Sequence, residues 1–66
     1  MKIQLNGESR EVPEGLNVSG LLTHLGLNPA RVAIERNLEI LPRTAWPATP
    51  LVAGDRFEIV HFVGGG

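Results

Sequence analysis

Few places in this sequence could do chemistry. The last three residues are Gly64, Gly65 and Gly66. Residues without side chains can thread a channel too narrow for any Cβ. They can then present a terminal carboxylate to another protein's active site. Activated as an acyl-adenylate, that carboxylate is open to attack by a sulfur or nitrogen nucleophile. The same glycines also fit a frayed end with no role.

The other candidates fall away by type or spacing. There is no cysteine. That excludes a disulfide scaffold, a thiolate nucleophile and any Cys-built zinc or iron–sulfur site. His24 and His61 are not in a metal-type spacing such as H-x-x-x-H. His24 falls on the polar side of an amphipathic segment, and His61 near the end of a strand. Ser9, Ser19, Thr23, Thr44 and Thr49 are not in a G-x-S-x-G elbow. Glu8, Glu11, Glu14, Glu35, Glu39, Asp55 and Glu58 are scattered as solvated carboxylates usually are. Asp55 is placed to serve a turn. No glycine-rich loop opens a helix, so no phosphate cradle is expected. The sequence therefore offers no catalytic residue and no metal ligands of its own.

The elements that would position the tail can be read from periodicity. Met1, Ile3 and Leu5 alternate with polar residues, as in a half-buried strand. Asn6-Gly7 is a strong hairpin signal. A second strand over Glu8–Val12 stops at Pro13-Glu14-Gly15. Val18, Leu21, Leu22 and Leu25 then share one helix face. Asn17 is placed to cap that helix and Gly26 to end it. Gly20, inside it, costs about 1 kcal/mol against Ala and suggests a close approach to another element. Asn28-Pro29 is a turn. Val32–Ile34 reads as a strand that Glu35 and Arg36 leave, and Leu38–Leu41 as another. Pro42–Pro50 reads as an irregular crossing anchored by Trp46, with Trp46 in the core or at its rim. Arg56–Phe62 is the last strand, with Phe57 and Ile59 on one face and Val60 and Phe62 on the other. Apolar residues on both faces fit a central strand.

This order predicts an α+β fold: a mixed sheet with one helix packed on one face. If the first and last strands pair, the long crossover makes them parallel. That is the β-grasp, or ubiquitin-like, arrangement. The expected division is one β-grasp domain over 1–63 and a flexible glycine tail over 64–66. If Phe57 and Ile59 face the helix, Val60 and Phe62 lie exposed near the tail as a partner-binding patch. Packing under a neighbouring loop is the other reading of that pair.

Composition agrees with this plan. At 66 residues and 7.1 kDa, there is room for one domain. Apolar residues make up 42%, too much for a disordered tail. A net charge of −1 argues against a nucleic-acid partner, which demands a basic face. No run approaches the roughly 20 apolar residues of a membrane span. Met1-Lys2-Ile3-Gln4-Leu5 lacks the apolar block of a signal peptide. A cytoplasmic protein with no membrane partner is expected.

From end to end the chain resembles the sulfur-carrier proteins of thiamine biosynthesis. The resemblance rests on the Asn6-Gly7 hairpin and Val18-x-x-Leu21-Leu22. Its most specific stretches are Val32-Ala33-Ile34-Glu35-Arg36-Asn37 and Ile40-Leu41-Pro42-Arg43-x-x-Trp46. Gly54-Asp55-Arg56-x-Glu58-Ile59-Val60 and Gly65-Gly66 complete it. Gly20, Leu38, Pro47 and Pro50 depart from the family pattern without touching the tail.

The resemblance implies a carrier and not an enzyme. An ATP-dependent, E1-like adenylating partner would convert the Gly66 carboxylate to an acyl-adenylate. Sulfur from a cysteine desulfurase route would turn it into a thiocarboxylate. Thiazole synthase would then take the sulfur for the thiazole ring. Gly64 and Gly65 would supply slimness and flexibility. No bound cofactor is implied, since the ATP is used by the partner. Rival readings are the small subunit of molybdopterin synthase, a carrier for another sulfur pathway, a ubiquitin-like modifier, and an interaction domain with an idle tail. The Pro42-Arg43-x-x-Trp46 stretch and the short chain favour the thiamine branch.

Overall fold

The computed structural model describes residues 1–62. A hairpin opens the fold, with β1 over Lys2–Leu5 and β2 over Glu8–Glu11. Leu5 pairs with Glu8, leaving Asn6 and Gly7 as a two-residue turn. Their φ angles are +50° and +83°, as a turn matching strand twist requires. All four residues of β2 are exposed. Three of them are charged, which blunts this sheet edge against stray pairing.

Helix α1 spans Val18–Leu25. The Asn17 side chain accepts from the Gly20 N–H at 2.7 Å. Gly26 ends the helix at φ +74°, and the Leu27 N–H closes back on the Leu22 carbonyl at 2.9 Å. Both caps fall where the sequence placed them. The close approach at Gly20 is not to another element. A Cβ there would sit 3.2 Å from Leu16 Cδ2 and 3.3 Å from Asn17 Oδ1. The glycine makes room for the helix's own cap.

The middle of the chain departs most from expectation. Asn28-Pro29 opens a 3₁₀ turn over Pro29–Arg31, with Asn28 Oδ1 accepting from the Ala30 N–H. Strand β3 runs Val32–Arg36, so Glu35 and Arg36 stay in the sheet. Their cross-strand partners, Glu58 and Phe57, hold them there. Strand β4 is only Glu39–Ile40. Arg36 pairs with Glu39, so Asn37 and Leu38 form a second two-residue turn. Leu38 is therefore not in a strand, and its φ is +72°. The expected irregular crossing is instead a 3₁₀ helix over Arg43–Ala48. Trp46 within it is buried, and its Nε1–H donates to the Leu41 carbonyl at 2.9 Å. The Arg43 guanidinium lies over the Trp46 ring at 4.6 Å and donates to the Val32 carbonyl. Cation and ring together tie this segment to the start of β3.

Strand β5 spans Arg56–His61 and completes a sheet of order β2-β1-β5-β3-β4. It runs parallel to β1 and antiparallel to β3. This is the expected β-grasp topology. Phe57, Ile3 and Ile34 from the three central strands join Val18, Leu21 and Leu22 of α1 in one buried cluster.

Candidate functional site

The C-terminal end of β5 is where the sheet delivers the chain toward the glycines. Gly64, Gly65 and Gly66 lie outside the described residues, as does the expected domain boundary after residue 63. What can be built is the platform that precedes them.

β5 is central, and its two faces differ. Phe57 and Ile59 point into the core and are buried. Arg56, Glu58 and Val60 point away from it and are exposed. Val60 is 59% exposed and Phe62 51%. No described segment covers them, so the reading that packs them under a loop does not hold for residues 1–62. The central position of β5 was expected because both its faces carry apolar residues. The position is right, yet the outer face is open: β5 is central because strands flank it on both sides, not because layers cover it twice.

Register adds two residues that sequence reasoning missed. Val60 pairs with Ala33, and Ile40 pairs with Glu35, two positions further along β3. Ala33 and Ile40 therefore share the outer face with Val60 and Phe62. Ile40 is 80% exposed. The signal was present in Val32-Ala33-Ile34: if Val32 and Ile34 point inward, Ala33 must point out. Glu35 and Glu58 face each other beside this patch, on adjacent strands.

The backbone at this end is held on both sides. On the β3 side, the Phe62 N–H donates to the Arg31 carbonyl at 2.8 Å. On the β1 side, the Asn6 side-chain amide meets the backbone of Ile59. Its Oδ1 accepts from the Ile59 N–H at 2.7 Å, and its Nδ2 donates to the Ile59 carbonyl at 3.2 Å.

At the start of β5, Asp55 is buried. It serves its turn as expected, accepting from the Val52 N–H at 2.8 Å. It also takes Arg36 Nε and Nη2 at 3.2 Å each and Asn37 Nδ2 at 3.3 Å. A carboxylate committed to four donors works as a structural hub.

The two histidines sit on different elements. His24 is exposed on the last turn of α1. His61 borders an open cleft between the hairpin turn and the end of α1, together with Leu5, Arg10, Leu25 and Leu27. Among the described residues, no three His, Asp or Glu side chains are grouped so as to hold a metal ion. Among them, too, no helix is long and apolar enough to cross a membrane.

Comparison with known proteins places this arrangement. The ThiS family model matches residues 3–66. A thiazole synthase of Paramagnetospirillum magneticum is 44% identical over all 66 residues. The chain spans 20% of that relative's length. The sulfur carrier protein ThiS of Bacillus subtilis is 37% identical over 65 residues, covering 97% of this chain and 98% of its own. The crystal structure of a thiamine biosynthesis protein (ThiS) from Geobacter metallireducens superposes with a TM-score of 0.85. It is 39% identical, and each chain is covered in full.

Proposed function

Since the chain belongs to the ThiS family, we propose that it is a sulfur carrier protein of thiamine biosynthesis and that the carboxylate of Gly66 is the atom group that carries the sulfur. The family match supports this most directly, because it runs through to residue 66. With no cysteine in the sequence, no side-chain thiol can hold a persulfide.

The chemistry proceeds in balanced steps on partner enzymes. A carboxylate oxygen of Gly66 attacks the α-phosphorus of ATP on an E1-like adenylating enzyme. Pyrophosphate leaves and an acyl-adenylate forms. A persulfide sulfur from a cysteine desulfurase route attacks the acyl carbon and expels AMP. The resulting acyl disulfide is cleaved by a second thiol, which forms a disulfide with the donor and leaves a thiocarboxylate on Gly66. Thiazole synthase then takes this sulfur into the ring. A thiazole synthase that contains a segment like this chain supports that partnership. We place the cycle in the cytoplasm, where ATP and reduced thiols are available.

The chain's own residues serve delivery in this reading. Gly64 and Gly65 give the terminus a form that fits a narrow channel. Ala33, Ile40, Val60 and Phe62 form the surface on which the partners dock, and the glycines follow from its edge. No catalytic group on this chain is called for.

The test is direct. The full chain is incubated with ATP, an adenylating enzyme of the thiamine pathway and hydrosulfide, and its intact mass is recorded. Replacement of one terminal oxygen by sulfur is expected. An unchanged mass, or conjugates on lysines of other proteins, would sink the proposal.

A further inference from the structure

We propose that Asn6 is a positioning residue for the C-terminal tail: its side-chain amide stands in for a missing strand beside Ile59 and so fixes the line along which β5 leaves the sheet. This rests on the reading that Gly66 carries the sulfur.

The two sides of β5 are supported unequally. On one side β3 pairs with it as far as Val32 and His61, and the Phe62 N–H continues the ladder to Arg31. On the other side β1 pairs only at Gln4 with Arg56 and Leu5 with Phe57. The Asn6 N–H adds one more bond, to the Phe57 carbonyl at 2.8 Å. The hairpin then turns away at Gly7. Ile59 would face an empty lane there, with one N–H and one carbonyl to satisfy. The Asn6 amide fills that lane, accepting from the N–H and donating to the carbonyl of the same residue. It carries the ladder one residue past the end of β1.

The residue type matters. A φ of +50° is tolerated by Gly, Asn and Asp. Of these, Gly has no side chain to reach Ile59. Asp would set a second oxygen against the Ile59 carbonyl in place of a donor. Asn meets both demands, since it carries an acceptor and a donor on one short planar group. The Asn6-Gly7 pair thus encodes more than a turn. It couples the first hairpin to the strand that leads to the terminus, across 53 residues of sequence.

The consequence for function is geometric. Adenylation demands that a carboxylate be held against a phosphorus within a few tenths of an ångström. The docking patch lies on the outer face of β5 and remains braced by β3, so docking survives loss of the amide. Without the amide, the end of β5 is held from the β3 side alone, and fewer docked molecules hold the carboxylate in place.

The variants Asn6→Gly and Asn6→Asp, made in the full chain, keep residues that this turn accepts. Two readouts are taken: amide hydrogen exchange at Ile59, and pyrophosphate release by the adenylating enzyme with ATP as carrier concentration is varied. In Asn6→Gly, exchange at Ile59 is expected to quicken roughly tenfold, whereas Asn6→Asp keeps an acceptor for the Ile59 N–H and loses only the donor to its carbonyl. The kcat is expected to fall about tenfold while KM stays within about twofold. Unchanged protection of Ile59 in Asn6→Gly overturns the proposal. So does quickened exchange with wild-type kcat and KM, which marks a purely structural role. A wild-type chain that releases no pyrophosphate and gains no sulfur overturns the reading of Gly66, and the positioning role falls with it. Quickened exchange at Ile59 in that case shows that the failure lies with Gly66 and not with the amide bridge.

Discussion

Arg36 and Asp55 join the two longest strands of the sheet at their shared end. Both Nε and Nη2 of Arg36 lie 3.2 Å from one oxygen of Asp55. The same carboxylate binds the Asn37 side chain and the Val52 N–H. Asp55 therefore fixes the β3–β4 turn and the turn that launches β5 in one stroke. Its removal strands a half-buried guanidinium and two further donors. Asp55→Ala is expected to lower stability by about 3 kcal/mol. A fall in the urea midpoint at unchanged slope checks this. A loss under about 1 kcal/mol would show that water replaces the carboxylate readily.

Leu38 holds a φ of +72° and is 72% exposed. A branched side chain in the left-handed region is strained by about 1 kcal/mol. Its exposure means that little burial offsets the strain. Leu38→Asn is expected to raise stability by roughly 0.5 to 1 kcal/mol, since Asn tolerates this turn. A thermal midpoint equal to or below that of the wild type would mean that the Leu38 side chain is held by contacts stronger than its exposure suggests.

Gly20 tests a competition between propensity and space. Ala in a helix interior gains about 1 kcal/mol over Gly. Here its methyl would crowd Leu16 Cδ2 at 3.2 Å and the capping oxygen of Asn17 at 3.3 Å. Leu16 can swing aside, but the capping oxygen is held by its bond to the Gly20 N–H. Gly20→Ala is expected to leave stability within about 0.5 kcal/mol of wild type. A full gain would show that the cap shifts without loss, and a larger loss that it breaks.

What the sequence made legible was what local chemistry decides. Asn17, Gly26 and the Asn6-Gly7 turn follow from the φ angles and lone donors of a few residues, and each sits where it was expected. The alternation of Phe57 and Ile59 with Val60 separated the two faces of β5, while exposure of Val60 and packing under a loop both stayed open until the structure showed it exposed. The misses share a different cause. Arg36 reads as a residue leaving a strand, because its partners Phe57 and Asp55 are distant in sequence. Leu38 reads as strand because a leucine in a positive-φ turn runs against propensity, and only the pairing of Arg36 with Glu39 puts it there. The prolines around Trp46 hid a 3₁₀ helix, since one of them falls inside it. Ile40 joins the candidate patch only through its register with Glu35. Asn6 shows both causes at once: its turn was legible, and its bridge to Ile59 was not.

Gly65 carries a prediction about the tail that rests on side-chain size alone. Any side chain at this position adds at least a Cβ to a segment that, in the proposed cycle, enters a partner's narrow channel. Gly65→Leu is expected to abolish adenylation while the circular dichroism spectrum and thermal midpoint stay as in the wild type. Every member of the buried cluster among the described residues lies at or before Ile59. Normal pyrophosphate release by the variant would remove the threading argument.

The outer face of β5 yields the prediction on partners. Val60 and Phe62 stand beside Ala33, with Ile40 across β3, and all lie on the side of the sheet that α1 leaves open. Burial of such a patch against a partner would account for large apolar side chains held in water at the centre of a sheet. Val60→Asp and Val60→Lys discriminate between two sources of affinity. If apolar contact dominates, both charges are desolvated on docking, and each weakens binding to the adenylating enzyme at least tenfold. If charge dominates, the two variants move apart, because Asp adds to the negative field of Glu35 and Glu58 while Lys opposes it. The patch geometry favours the first outcome, and Phe62→Asp is expected to behave like Val60→Asp. His24→Ala, which alters an exposed residue on the helix, serves as the control and should leave affinity unchanged. Titration calorimetry of each variant against the adenylating enzyme reads all four. Wild-type affinity in Val60→Asp and Phe62→Asp together would move the docking surface off this face of the sheet.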